Sequence, residues 1–262
     1  MTAPWPLVGL IAFLGLAIGS FLNVIIYRVP RQESIVFPGS RCPDCSEPIK
    51  ARHNVPLLSW VALRGRCHSC HGRISTRYPL VEGGTALLFA AVTLRFGFTL
   101  QLPAFLYLTA IGVALAMIDF DVQRLPDSIV LPSYVIAVLL LMPAGAADEN
   151  WLGAERALAG MFALLTLFFA LAMAYPNGLS FGDVKLAGLV GLYLGWLSWN
   201  AIFLAAVGSI LIAGISATVV GATKYGARTV AVPLGPCLLG AAGLALFVAA
   251  PIATWYGALI AV

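Results

Sequence analysis

Charge is scarce in this chain: 10% of its 262 residues are charged, against 61% hydrophobic. A soluble domain carries about 25% charged residues. Fifteen basic and eleven acidic residues cannot cover a water-soluble fold of this size, which excludes a soluble enzyme as the default. Disorder is excluded as well, because it needs low hydrophobicity and high charge. The short alternating segments of a transmembrane barrel are absent. The sequence shows no internal repeat and no low-complexity stretch. The first apolar run, 6–27, lacks the basic n-region and small-residue cleavage site of a signal peptide, and is too long for one.

Apolar runs of about 20 residues recur instead, the length that spans a bilayer as a helix. They predict an all-α polytopic membrane protein with eight spans near 6–27, 79–96, 101–118, 128–143, 153–175, 184–199, 200–222 and 236–260. The weakest separation is between the sixth and seventh, at Ser198, Trp199 and Asn200. The charges are unevenly placed. Residues 28–79 hold nine of the fifteen Lys and Arg but three of the eleven acids, leaving that segment at +6 and the remainder at −2. All three histidines and four of the five cysteines fall there too. The expected organisation is a first transmembrane helix (1–27), a polar cytoplasmic module (28–78) and a helix bundle (79–262). Inner loops at 28–78, 119–127, 176–183 and 223–235, with their helix ends, would hold thirteen basic residues, Lys224 and Arg228 among them, against Arg95 and Arg156 outside. The positive-inside rule therefore places both termini outside.

The polar module contains Cys42-Pro-Asp-Cys45 and Cys67-His-Ser-Cys70, separated by 21 residues. Each pair lets two thiolates converge from one tight turn, and two such turns complete a tetrahedral zinc site. The metal would also staple a segment too small for a generous core. A redox CxxC wants a βαβ context that is missing. His68 and His71 lie within the second turn, but four cysteines already suffice. A closed four-thiolate site reads as structural. Cys237 reads as a small apolar packing residue.

Eight acids lie outside this module. Asp148, Glu149 and Glu155 are in or beside a solvated outer loop. Glu82 is just inside the second span. Asp119, Asp121 and Asp127 in IDFDVQRLPD, and Asp183 in SFGDVK, cluster at cytoplasmic helix ends. An acid at the edge of an apolar run is costly and points to function. Asp127 also reads as a helix opener and Asp121 as an exposed loop charge two residues past a helix end. Asp119, directly after LALAMI, is the hardest to solvate, and Asp183 follows a glycine that permits close backbone approach. Lys185 has a carboxylate, lipid headgroups or water as possible partners. Two facing aspartates would form an acid–base dyad, as in aspartic proteases; a transporter-type proton relay is the other functional reading.

Eight motifs now stand in order: GSFLNVIIYRVPR (19–31), RCPDC (41–45), NVPLLSW (54–60), LRGRCHSC (63–70), ISTRYPLVE (74–82), IDFDVQRLPD (118–127), FGDVKL (181–186) and VPLGP (232–236). Together they resemble the bacterial type IV prepilin peptidases. The resemblance implies a membrane aspartic endopeptidase of the bacterial inner membrane. Its substrates would be prepilins and pseudopilins, from which it cuts a short basic leader. It commonly also methylates the new N-terminal amine with S-adenosylmethionine. The resemblance places the catalytic pair on Asp119 and Asp183 and the zinc ligands on Cys42, Cys45, Cys67 and Cys70. One position departs from the family: Ser180 stands where its G-x-G-D motif tends to begin with glycine.

No G-x-G-x-x-G after a strand marks a methyl-donor pocket. In the polar module, Gly65 offers a flexible point, His53 and Asn54 hydrogen-bonding groups, and Glu82 a carboxylate that could hold an amine or sulfonium. The plainer expectation for Glu82 is a salt bridge to Arg77 or another loop arginine. The module's basic surface reads as attraction to the lipid bilayer, and nucleic-acid binding is a poor alternative. Competing functions are a peptidase without methyltransferase activity, a proton-coupled transporter, and a membrane adaptor that would need neither Asp119 nor Asp183.

Overall fold

Apolar runs with no alternation and few interior breakers form helices, and in lipid a helix satisfies its own backbone polar groups. The computed structural model describes residues 5–175, 178–223 and 233–260. Among them lie nine α-helices and no strand. The first, α1 (Trp5–Arg28), leads into a polar stretch with 3-10 turns at Val29–Arg31 and Ala51–His53 and a short α2 (Leu58–Ala62). Seven long helices follow: α3 (Arg77–Phe96), α4 (Leu102–Val122), α5 (Asp127–Ala147), α6 (Trp151–Ala174), α7 (Phe181–Leu197), α8 (Trp199–Thr223) and α9 (Leu234–Ile260). Seven of the helices are long and apolar enough to cross a membrane. The eighth long helix is α7; its 17 residues rise about 25 Å, at the short end of the spanning range.

Two boundaries differ from expectation. Helix α4 continues to Val122, so Asp119 and Asp121 are helical and Asp121 does not lie beyond a helix end. The α7–α8 break is Ser198 alone, in extended conformation, with its Oγ accepting the Ala201 N–H at 3.1 Å. Most of the expected inner loop 223–235, with Lys224 and Arg228, lies outside the described residues.

The chain divides into two compact units, 1–114 and 115–262, the division falling inside α4. In the first, α1 and α3 pack antiparallel. A Cβ on Gly19 would stand 2.7 Å from the Glu82 Cα, and one turn further the Asn23 amide donates to the Tyr78 carbonyl at 3.3 Å. In lipid the apolar effect does not drive helices together, so close backbone approach at small residues takes its place.

In the second unit α7 is the central helix, packed by α5, α6, α8 and α9. Thirteen of its residues are buried, from Asp183 to Trp196. Gly191 of α7 and Gly160 of α6 meet so closely that a side chain on either would collide with the other's carbonyl. Lower on the same face, Arg156 of α6 donates to the carbonyls of Gly195 (2.6 Å), Trp196 (2.8 Å) and Leu197 (3.0 Å). These are orphan acceptors of the last turn of α7, and a cation there complements the helix dipole.

Candidate active site and metal centre

Asp183 sits in the first turn of α7, where Ser180 is the N-cap. The Ser180 Oγ accepts the Asp183 N–H (3.3 Å), and Asp183 Oδ2 accepts the Ser180 N–H (2.9 Å) and hydroxyl (2.8 Å). This is a reciprocal capping box, with aspartate in the place usually held by Glu or Gln. It fixes one oxygen of the carboxylate. The other, Oδ1, is buried with no hydrogen-bond partner among the described residues. A buried carboxylate oxygen left unsatisfied is costly, and such costs collect at functional sites.

Asp119 lies one turn before the end of α4 and is 5% exposed, as is Asp183. Its Oδ2 accepts the Gly235 N–H, in the first turn of α9, at 3.1 Å. Both carboxylates therefore stand at the positive ends of helices. The charge of Asp183 reaches Asp119, and both reach the thiol of Cys237, which is buried in the first turn of α9. Leu125 closes the group: a Cβ on Gly182 would stand 3.0 Å from its Cβ, and one on Gly235 would stand 3.5 Å from its Cδ1.

The other acids part from this pair. Asp127 opens α5 behind Pro126, and both its oxygens take the Lys185 ammonium at 2.8 Å, so Lys185 settles on a carboxylate. Tyr134 of α5 adds a hydrogen bond to the Lys185 carbonyl at 2.6 Å. Asp121 is exposed. Sequence reasoning missed the Gly235 N–H and the Ser180 cap. The PLGP motif and a serine three residues before an aspartate were the available signals.

In the polar stretch the four thiols of Cys42, Cys45, Cys67 and Cys70 lie within 4.8 Å of one another, with Cys42 and Cys70 at 3.8 Å. The two turns repeat the same bonds. Cys42 N–H donates to the Glu47 carbonyl as Cys67 does to Gly72. Ser46 donates to Cys42 as His71 does to Cys67, and Ile49 to Ser40 as Ile74 to Gly65. Residues 41–49 and 66–74 are thus a local repeat, correcting the expectation of none. The amides of Cys70 and Ser69 bring the Cys67 thiol down to about 7, so a thiolate ligand is present near neutrality. Four convergent sulfurs fit a metal ion of tetrahedral, thiophilic character. His68 instead meets His53, ring centroids 4.3 Å apart.

Glu82 forms no salt bridge among the described residues. Its Oε2 accepts the Leu57 N–H at 2.8 Å, contrary to the expected arginine partner. Leu57 occupies a left-handed γ-turn (φ 58°, ψ −50°) closed by Leu58 N–H to the Pro56 carbonyl at 2.6 Å, a strained form. The Glu82 carboxylate meets a strained backbone amide in place of an arginine. Gly65 has φ +66°, and a Cβ there would stand 2.9 Å from the Trp60 ring. It serves a turn under that ring. Glu82 instead lines a cavity of about 450 Å³ in the first unit, which Gly65 does not.

Comparison with known proteins gives two family matches. The bacterial peptidase A24 N-terminal domain covers residues 13–96, and the type IV leader peptidase family covers 104–221. The prepilin leader peptidase/N-methyltransferase of Stutzerimonas stutzeri is 34% identical over 89% of this chain and 88% of its own. That of Aeromonas hydrophila is 34% identical over 97% and 94%. That of Myxococcus xanthus is 40% identical over 79% and 60%. No solved structure gives a significant match.

Proposed function

This chain belongs to the type IV leader peptidase family, and we propose that it is a multi-pass membrane aspartic endopeptidase that removes the basic leader of prepilins and pseudopilins and methylates the new N-terminal amine. Asp119 and Asp183 are the catalytic pair. The observation that carries this reading is the unpartnered, buried Oδ1 of Asp183, on a carboxylate whose other oxygen is fixed and whose charge reaches Asp119.

Two carboxylates acting as a dyad share one proton. The ionised member takes a proton from water as the hydroxyl adds to the scissile carbonyl. The protonated member gives its proton to the carbonyl oxygen; as the tetrahedral diol collapses it takes a proton back from a diol hydroxyl, and the member that deprotonated water passes that proton to the leaving amine. The fixed Oδ2 leaves Oδ1 of Asp183 as its working oxygen. The excess of basic residues on the inner loops supports an active site on the cytoplasmic face of the inner membrane. In this reading α1 is the first transmembrane helix, 28–78 is a zinc-binding module, and the helices from α3 onward belong to the membrane part. Zinc on Cys42, Cys45, Cys67 and Cys70 closes the module's fold, and S-adenosylmethionine is the methyl donor.

The test is cleavage of a prepilin in membranes, read by product mass, for wild type, Asp119→Asn and Asp183→Asn. Asparagine keeps size and removes the shuttled proton. Each single substitution abolishes cleavage at normal protein level and zinc content. Cleavage by both variants at the wild-type rate overturns the assignment, and cleavage by Asp119→Asn alone moves the partner role to Asp121.

A further inference from the structure

Three consecutive large apolar side chains stand exposed just beyond α1: Ile35 (40%), Val36 (67%) and Phe37 (76%). In a module surrounded by water such a run would be covered or interrupted by polar residues. The run is built rather than loose. The Ser34 Oγ accepts the N–H groups of Val36 and Phe37, each at 3.3 Å. The Arg28 guanidinium donates to the carbonyls of Ser34 (2.9 Å) and Pro38 (2.7 Å), one on either side of the run. Both ends of this tip are thereby tied to the last residue of α1, and the three side chains are presented on a closed turn.

The place of that tie gives the tip its surroundings. Helix α1 carries exposed aromatic rings at its two ends, Trp5 and Tyr27. Their separation along the helix is about 33 Å, which matches a hydrocarbon core of about 30 Å with one aromatic at each interface. Arg31 lies over the Tyr27 ring, 4.0 Å from its centroid, and donates to the Tyr27 carbonyl at 2.6 Å. Tyrosine and arginine together mark the headgroup level. Arg28 follows Tyr27 directly, so the tip that it holds stands at that level too.

The charges beside the tip select its occupant. Arg28 and Arg31 stand next to it with one acid, Glu33. This surface repels a basic peptide and attracts anionic headgroups. We propose that Ile35, Val36 and Phe37 insert into the boundary between headgroups and acyl chains of an anionic bilayer, and hold the polar stretch against the membrane beside α1. An apolar tip flanked by arginines is the composition that lies in this layer. The contact is independent of the cleavage and methyl-transfer readings. It replaces a general attraction of basic residues to lipid by three named side chains.

The experiment places photoreactive p-benzoylphenylalanine at position 37, 13 or 47 of the full chain, reconstituted in vesicles of phosphatidylcholine and phosphatidylglycerol in equal parts. Phe13 is exposed in the middle of α1, and Glu47 is exposed among the cysteine turns. Adducts formed on irradiation are identified by mass spectrometry. Helix content and gel-filtration profile equal to wild type show that the three chains are folded. Burial of a phenylalanine favours the inserted state by about tenfold or more. Position 37 therefore gives lipid adducts at a yield close to that of position 13 and about tenfold above position 47. Adducts from position 37 to this chain, to a second copy or to added prepilin, in place of lipid, overturn the proposal. A yield at 37 no higher than at 47, with position 13 reacting normally, overturns it as well.

Discussion

Gly235 donates its backbone N–H to Oδ2 of Asp119 at 3.1 Å, across 116 positions of sequence. The glycine is required by space: a Cβ at 235 would stand 2.7 Å from that same oxygen. Gly235→Ala therefore displaces the carboxylate from its amide. A displacement of about 1 Å costs about a hundredfold in rate. Prepilin cleavage by Gly235→Ala should fall by that order, with the melting temperature in detergent little changed. A variant that cuts at the wild-type rate would show that Asp119 needs no such anchor.

Ser180 supplies a hydroxyl where a family glycine would supply none, and that hydroxyl bonds Asp183 at 2.8 Å. Ser180→Ala removes it and the cap on α7, a loss of about 1 kcal/mol. The Ser180 N–H still holds Oδ2 at 2.9 Å, so cleavage falls less than in Gly235→Ala. Ser180→Thr restores both cap and rate. Cleavage kinetics of the four proteins test this order; an alanine variant as damaged as Gly235→Ala, or a threonine variant no better than alanine, counts against it.

The two aspartates were legible because each stands at the edge of an apolar run, where a carboxylate has little solvent to answer for it. The four cysteines were legible from spacing alone. What holds the aspartates was only faintly signalled, by the PLGP motif and by a serine three residues before Asp183, because a backbone donor such as the Gly235 N–H leaves no trace in residue identity. The repeat of 41–49 in 66–74 was hidden by having only four identical residues, Arg, Cys, Cys and Ile; the likeness lies in main-chain bonds. The expected Glu82 ion pair failed because charge counting cannot see a strained turn that claims the carboxylate first. Helix α4 outran its apolar run because its final turn accepts Asp119, Asp121 and the residues between them without losing backbone bonds.

Metal removal should act on the first unit. Cys42 and Cys67 line the Glu82 cavity, and four thiols within 4.8 Å repel or protonate once the ion is gone. A chelator, or Cys45→Ser, should release the bound metal and expose the segment 29–76 to proteolysis. Metal release measured by a colorimetric indicator, with protease sensitivity unaltered, would remove the metal from the support of this segment.

Arg156 carries a purely structural prediction. Its guanidinium donates to the carbonyls of Gly195, Trp196 and Leu197, which end the helix that begins at Asp183's capping box. Leucine in its place leaves three acceptors without donors at a partly buried helix end. Hydrogen bonds to a charged group contribute about 1.5–3 kcal/mol, so Arg156→Leu should destabilise the chain by about 2–3 kcal/mol. Arg156→Lys recovers only part, since an ammonium is a point donor that cannot reproduce the planar fork. Denaturant unfolding in detergent measures the difference. Because the last turn of α7 frays while its first turn stays capped, prepilin cleavage by folded Arg156→Leu at low temperature should remain near wild type. A large loss of rate without loss of stability would mean that the two ends of α7 are more tightly linked than its capping implies.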